Sequence, residues 1–243
     1  MIRLENISKS YSGGKTRAVS DLILHVRPGE IFGFIGPNGA GKTTTIKMIT
    51  GILRPDEGRV IVNGVDMLQN PVEAKRCIGF VPDNHETYDR LTGAEYLNFI
   101  GDVYQVSPDV RRDRMKKYLS MFEIEQAAGD LIRSYSHGMK QKLMLTGALL
   151  HDPPLWLLDE PMVGLDPKAA LLLKQEMRAH CNQGRTVFFS THVLEVAEKL
   201  CDRIGIIFEG RLAAVGTMEQ LRSGDTGASL EKRFFELIEK GEG

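Results

Sequence analysis

One stretch of eight residues restricts this chain more than any other. GPNGAGKT (36–43) fits G-x-x-x-x-G-K-[ST]. It follows IFGFIG (31–36), an apolar run typical of a buried strand, and opens a helix predicted from Lys42 to about Thr50, ended by Gly51. A strand, a glycine-rich turn and a helix in that order make a phosphate-binding loop and point to an α/β fold. Glycines at 36, 39 and 41 let backbone N–H groups converge on phosphates. Lys42 supplies a mobile cation for the β- and γ-phosphates and Thr43 a hydroxyl for Mg2+. The expected nucleotide-binding set is Gly36, Pro37, Asn38, Gly39, Ala40, Gly41, Lys42, Thr43 and the Thr44 that follows.

LWLLDEP (155–161) supplies the second half of such a site. Its apolar strand delivers Asp159 to the Mg2+ side, and Glu160 emerges at the end of the same strand. A carboxylate there can orient and deprotonate a water for in-line attack on the γ-phosphate, an assistance typically worth ~10²–10⁴ in rate. Taken alone, Asp159-Glu160 also reads as a polar strand end, and GPNGAGKT as an ordinary turn. Their coupling favours the hydrolytic reading.

Composition excludes several other roles. Lys plus Arg number 31 against 32 Asp plus Glu, a net charge of −1, which argues against a broad nucleic-acid-binding face. The densest basic run, RRDRMKK (111–117), is broken by Asp113 and reads as a solvated helix face. Cys77, Cys181 and Cys201 are widely spaced without a C-x-x-C, as expected of reduced thiols in a cytosolic protein. The N-terminus has no signal pattern, and no apolar stretch approaches the roughly 18 residues of a membrane helix, so the chain is expected not to span a membrane by itself.

Periodicity divides the rest. Leu22, Leu24 and Val26 alternate with polar residues, and VIVNG (60–64) and CIGFVP (77–82) read as strands. Thr92 and Glu95 have capping-box spacing, with Tyr96, Phe99, Ile100 and Val103 following at helical intervals. Ser107 and Pro108 start a further helix, with Met115, Tyr118, Leu119 and Phe122 along one face. Ser136 is read as the N-cap of the next, at a helix start suited to an anion, which Gly138 lets approach closely. A helical subdomain over about 90–150 is therefore expected. Alternation then resumes: strand 155–158, helix 167–183, strand 186–190, helix 193–201, and a hairpin turning at Glu209-Gly210. Thr217 and Gln220 can cap a short helix. SLEKRFFELIEK (229–240) is amphipathic and suits packing on the chain's own body, a partner or a membrane surface.

In this order the motifs resemble those of the ATP-binding subunits of ABC transporters, over nearly the whole chain up to about residue 220. SHGMKQ (136–141) stands where that family has its signature, usually L-S-G-G-Q; VGLDP (163–167) looks like its D-loop and STH (190–192) like its switch histidine. The resemblance implies an α/β P-loop ABC ATPase fold with an antiparallel β subdomain, a RecA-like core and the inserted helical subdomain. The ATPase domain is expected over 1–220, with 221–243 as an amphipathic helical extension. ATP and Mg2+ are the implied cofactors. The implied partners are a second ATPase subunit, paired head to tail as homodimer or heterodimer, and a separate integral-membrane permease, with no nucleic acid. That places the chain on the cytoplasmic face of the membrane.

The same resemblance assigns residues. Glu160, His192 and Lys42 form the catalytic set, with His192 bonding the γ-phosphate and holding the attacking water. Ser136 and Gly138 close over the ATP held by the other chain's phosphate loop. Tyr11 stacks on adenine, for which a tyrosine ring suits; a buried core tyrosine is its rival reading. Asp166 lines the dimer seam, caps the helix at Pro167, or does both. Thr43, Asp159 and Asp83 form the metal set. Asp83 departs from the family's usual glutamine: anionic at neutral pH, it favours Mg2+ but repels a γ-phosphate. Tyr135, His137 and Met139 also depart from the usual Leu, Gly and Gln. The SHGM signature and Asp83 together look like the ABC-2 branch serving drug, antibiotic or polysaccharide exporters. A soluble ABC ATPase acting on a macromolecular complex, a small-molecule P-loop kinase and a nucleotide sensor without turnover are the competing readings.

Overall fold

The computed structural model describes residues 1–11, 16–83, 88–222 and 234. The chain opens with β1 (Ile2–Tyr11), β2 (Thr16–Val26) and β3 (Ile31–Ile35). Next come α1 (Lys42–Ile49), β4 (Glu57–Val62), β5 (Val65–Asp66), α2 (Pro71–Arg76) and β6 (Ile78–Val81). Then α3 (Gly93–Val103), α4 (Pro108–Met121), a 3-10 turn (Ile132–Ser134) and α5 (His137–Leu149) follow with no strand between them. The chain returns through β7 (Leu155–Asp159), α6 (Pro167–Asn182), β8 (Thr186–Thr191) and α7 (Leu194–Leu200). It continues with β9 (Arg203–Phe208), β10 (Arg211–Gly216) and α8 (Met218–Leu221).

The strands form two sheets. The first, ordered β2-β1-β4-β5, is antiparallel. The second runs β10-β9-β3-β8-β7-β6, with β9, β3, β8, β7 and β6 parallel and β10 an antiparallel edge. Every residue of β3, β7 and β8 is buried. That explains why these strands read as continuous apolar runs, whereas β2 alternates. Because side chains point to opposite faces in turn, Leu155, Leu157 and Phe188 join the core shared with the antiparallel sheet and α1. Trp156, Leu158, Val187 and Phe189 join the core under the helical region. A third cluster gathers Ile35, Ala197, Ile204, Ile206, Leu221 and Phe234. Phe234 is helical and buried there; the rest of the C-terminal segment beyond Arg222 lies outside the described residues.

Register sets the site. Ile35 of β3 pairs with Thr191 and Asp159 of β7 with Ser190, both on the central strand β8. The carboxyl ends of three parallel strands therefore finish at one level, where open α/β sheets bind ligands.

Two sequence expectations about the helices need correction. The buried face of α3 is Tyr96, Leu97 and Gly101, while Phe99 and Val103 are exposed. The guanidinium of Arg111 of α4 crosses this buried face where Gly101 lacks a side chain; a Cβ there would lie 2.2 Å from Nε. Arg111 also donates to the carbonyls of Asn98 (3.1 Å) and Val106 (3.0 Å). The run at 111–117 is thus only partly a solvated face, since Arg111 and Arg114 turn inward, Arg114 to the Leu150 carbonyl at 2.7 Å.

Two histidines are folded into apolar surroundings. His180 of α6 meets the edge of Trp156 (5.8 Å between centroids), and His151 stacks on Tyr104 at 3.6 Å. Burial is the main cause that pulls both down to about 4 from an ordinary 6.5. An unfolded chain protonates these side chains near pH 6.5 and the folded chain only near 4, so acidification across that window favours unfolding. The thermal midpoint should fall between pH 6.5 and 4, and His180→Gln, which cannot titrate, should flatten that slope in a melting series.

Candidate functional site

The phosphate loop begins where β3 leaves the sheet. Gly41 sits at φ 105° immediately before α1, and a Cβ there would lie 2.5 Å from the Ala18 carbonyl, so only glycine lets the turn close. Pro37, Asn38, Gly39, Gly41, Lys42, Thr43 and Thr44 line one wall of an open cleft, completed by Ala18, Asp83 and Glu160. Gly36 and Ala40 stand behind that wall. Ala40 is buried, and Gly36 offers its carbonyl to Lys42.

Lys42 is 7 % exposed and donates to the Gly36 (2.7 Å) and Pro37 (3.2 Å) carbonyls. Its Nζ lies 3.6 Å from Glu160 Oε1. The other oxygen of Glu160 is 3.1 Å from His192 Nδ1. One carboxylate thus links the loop cation to the histidine after β8. Glu160 has φ 48°, a left-handed backbone uncommon for a long side chain. Its N–H donates to Ser190 Oγ at 3.0 Å.

Asp159 is buried beside it. Burial raises its carboxyl above the ordinary range and the charges of Asp83 and Glu160 add to that, while hydrogen bonds from Ser190 and Thr43 oppose it. Thr43, Asp159 and Asp83 are hard oxygen donors, the chemistry that suits Mg2+. Among the described residues no three acidic, histidine or cysteine side chains converge tightly enough to hold a metal by themselves.

Tyr11, at the end of β1, is 40 % exposed, with its hydroxyl 3.4 Å from Thr44 Oγ1. It stands beside the loop with ring surface free, rather than in the core.

Ser136 and Gly138 are not in this cleft. Ser136 is an exposed N-cap of α5, and its hydroxyl accepts the Met139 N–H at 3.3 Å. His137 has no positive φ. Asp166 caps α6 by accepting the Ala169 N–H at 2.8 Å. It also accepts from Lys142 of α5 at 2.8 Å; that bond, ahead of the N–H, holds its carboxyl down at about 2.

Three participants were hidden in the sequence. Ser190 touches both Asp159 and the Glu160 backbone, but appears there only as the first letter of STH. Gln141 ends the signature stretch and Lys142 follows it, and both are bound to the loop after Glu160 only through tertiary packing.

Comparisons agree with this geometry. The ABC transporter family model matches residues 19–163. The linearmycin resistance ATP-binding protein LnrL of Bacillus subtilis is 38 % identical over 229 residues, covering 93 % of this chain and 73 % of that protein. The Nod factor export ATP-binding protein I of Paraburkholderia xenovorans is 36 % identical over 233 residues, 96 % and 76 % of the two chains. The solved structure of an ATP-binding subunit of an ABC transporter superposes with TM-score 0.93 at 34 % identity, covering 98 % of this chain and 99 % of that one. A dimeric ATP-binding cassette in a post-hydrolysis state with ADP and phosphate gives 0.82 at 27 % identity, over 90 % and 99 %. With its phosphate loop, carboxylate pair and six-stranded sheet, the chain belongs to the ABC transporter family, as an ATP-binding ATPase subunit.

Proposed function

We propose that this chain binds and hydrolyses ATP to energise a separate membrane-spanning exporter subunit, working as one half of a head-to-tail pair at the cytoplasmic face of the membrane. The observation that carries the reading is the meeting of Lys42 and Glu160 in one cleft, with His192 on the second oxygen of Glu160 and Asp159 buried at the end of the same strand. The export named for the Nod factor relative, beside the antibiotic resistance named for LnrL, supports the direction. Among the described residues no helix is long and apolar enough to cross a membrane, which leaves the pathway to another chain.

In this reading the loop N–H groups and Lys42 hold the β- and γ-phosphates, exchanging the Gly36 and Pro37 carbonyls for anionic oxygens. Mg2+, held by Thr43 and Asp159 with Asp83 within reach, neutralises phosphate charge when bound. Glu160 accepts the proton of the attacking water as it adds in line, and His192 fixes that carboxylate at the mouth of the cleft. Ser136 and Gly138 cap the nucleotide bound by the second subunit. Tyr88, Phe99 and Val103 form an exposed apolar group, 54 %, 43 % and 54 % accessible, with the Tyr88 and Phe99 rings 5.6 Å apart. Lying on and before α3, they are suited to contact the membrane subunit.

Two measurements test this reading. Glu160→Gln should lower ATP turnover by ~10²–10⁴-fold, and with ATP it should trap a closed pair. Tagged and purified from detergent-solubilised cells, that pair should bring a multispanning membrane protein in stoichiometric amount. Unchanged turnover would remove Glu160 from its role, and recovery of a soluble complex instead would favour an ATPase acting on a macromolecular assembly. Tyr11→Ala should raise KM for ATP by roughly two- to tenfold, the value of an aromatic stack, with Tyr11→Trp close to the parent; equal KM values in steady-state assays would return Tyr11 to a structural role.

A further inference from the structure

The left-handed backbone of Glu160 needs support from outside, because such a conformation persists in a long side chain only where its surroundings over-determine it. On the sheet side the support is visible: Glu160 N–H donates to Ser190 Oγ at 3.0 Å. On the other side the chain leaves as a loop, 161–166, and this loop rests on α5.

Four residues of α5 make the contact. Gln141, 1 % exposed, donates from Nε2 to the Pro161 carbonyl at 3.0 Å. Gly138 backs onto the Gly164 carbonyl so closely that a Cβ at 138 would lie 2.7 Å from that oxygen. The His137 imidazole lies over Gly164, where a Cβ would meet Cδ2 at 2.3 Å and Nε2 at 2.8 Å. Lys142 reaches Asp166 at the loop's far end. Positions 137, 138, 141 and 142 share one helix face, since residues four apart lie one above the other.

We propose that this face of α5 holds the 161–166 loop, and through it the backbone of Glu160, with His137 as the positioning residue. The inference rests on the reading of Glu160 as base. It gives the signature turn a task within its own chain, separate from the one Ser136 would have toward the second subunit. His137 is the discriminating contact of the four. The Lys142–Asp166 pair is half-exposed on the Asp166 side, where an ion pair contributes little. Removing Gln141 would strand the Pro161 carbonyl in a buried place. The packing of His137 on Gly164 is steric and can be removed without burying a charge.

The test is a cycle of His137→Gly, Gly164→Ala and the double variant, with His137→Gln as the conservative change. kcat and KM for ATP are measured on the purified chain. His137→Gly should lower kcat about tenfold with KM within about twofold, and His137→Gln should keep most of kcat. Gly164→Ala should also lower kcat, because its methyl meets the imidazole. The double variant should lose less than the product of the two single defects, because the clash with the imidazole is gone while the strain of a side chain at φ 78° remains. In a Glu160→Gln background, size-exclusion chromatography with ATP should show the trapped pair whether residue 137 is His or Gly. An unchanged kcat for His137→Gly, multiplying defects in the double variant, or loss of the trapped pair with His137→Gly would overturn the proposal. If Glu160→Gln alone kept its turnover and trapped no pair, the reading of Glu160 would fail instead, a separate result.

Discussion

The site depends on one hydrogen-bonded ladder, in which β8 is flanked by β3 and β7 with their carboxyl ends in step. Parallel pairing requires crossover connections, so the residues after the three strands are far apart in sequence: Gly36, Glu160 and His192. Register brings them together. A one-residue slip of β7 would turn Asp159 to the opposite face and exchange the two core clusters that Trp156 and Leu157 now fill. The apolar continuity of these strands, which gives no periodic signal by itself, thus fixes the placement of the carboxylates as firmly as any polar contact does.

Much of this was legible because it is local. GPNGAGKT carries its own turn glycines and helix start, and the Thr92–Glu95 and Thr217–Gln220 capping boxes form as their spacing implies. Element types along the chain follow apolar period and turn chemistry with shifts of a residue or two at the ends. The buried face of α3 was not legible, because the contact of Gly101 with Arg111 joins two different helices and apolar spacing alone does not show that Phe99 and Val103 stay exposed. Ser190, Gln141 and Lys142 escaped for the same reason: each acts on a loop 20 to 30 residues away or more. Ser136 and Gly138 are a different case. They lie outside the cleft, and the task proposed for them is toward a second subunit.

Charge is distributed so that the cleft holds itself together without phosphate. Lys42 is satisfied by two carbonyls and lies near Glu160, and Glu160 is held by His192. A buried lysine with no acceptor would be costly, and a carboxylate facing Asp159 and Asp83 alone would repel both. Mutual pairing keeps the groups near their working positions. Phosphate oxygens offer Lys42 stronger partners than carbonyls do, so nucleotide can replace these bonds without first unfolding them. Asp159 cannot relax in that way: it is buried, hydrogen-bonded by Ser190 and Thr43, and crowded by two other carboxylates. A divalent cation would relieve that crowding, which gives Asp83 a reason to be acidic where an amide would leave the site less negative. Strain in the Glu160 backbone completes the arrangement. Glu160 is held from the sheet by Ser190, and the loop that follows it rests on α5, so its orientation depends on two elements that meet only in the folded chain.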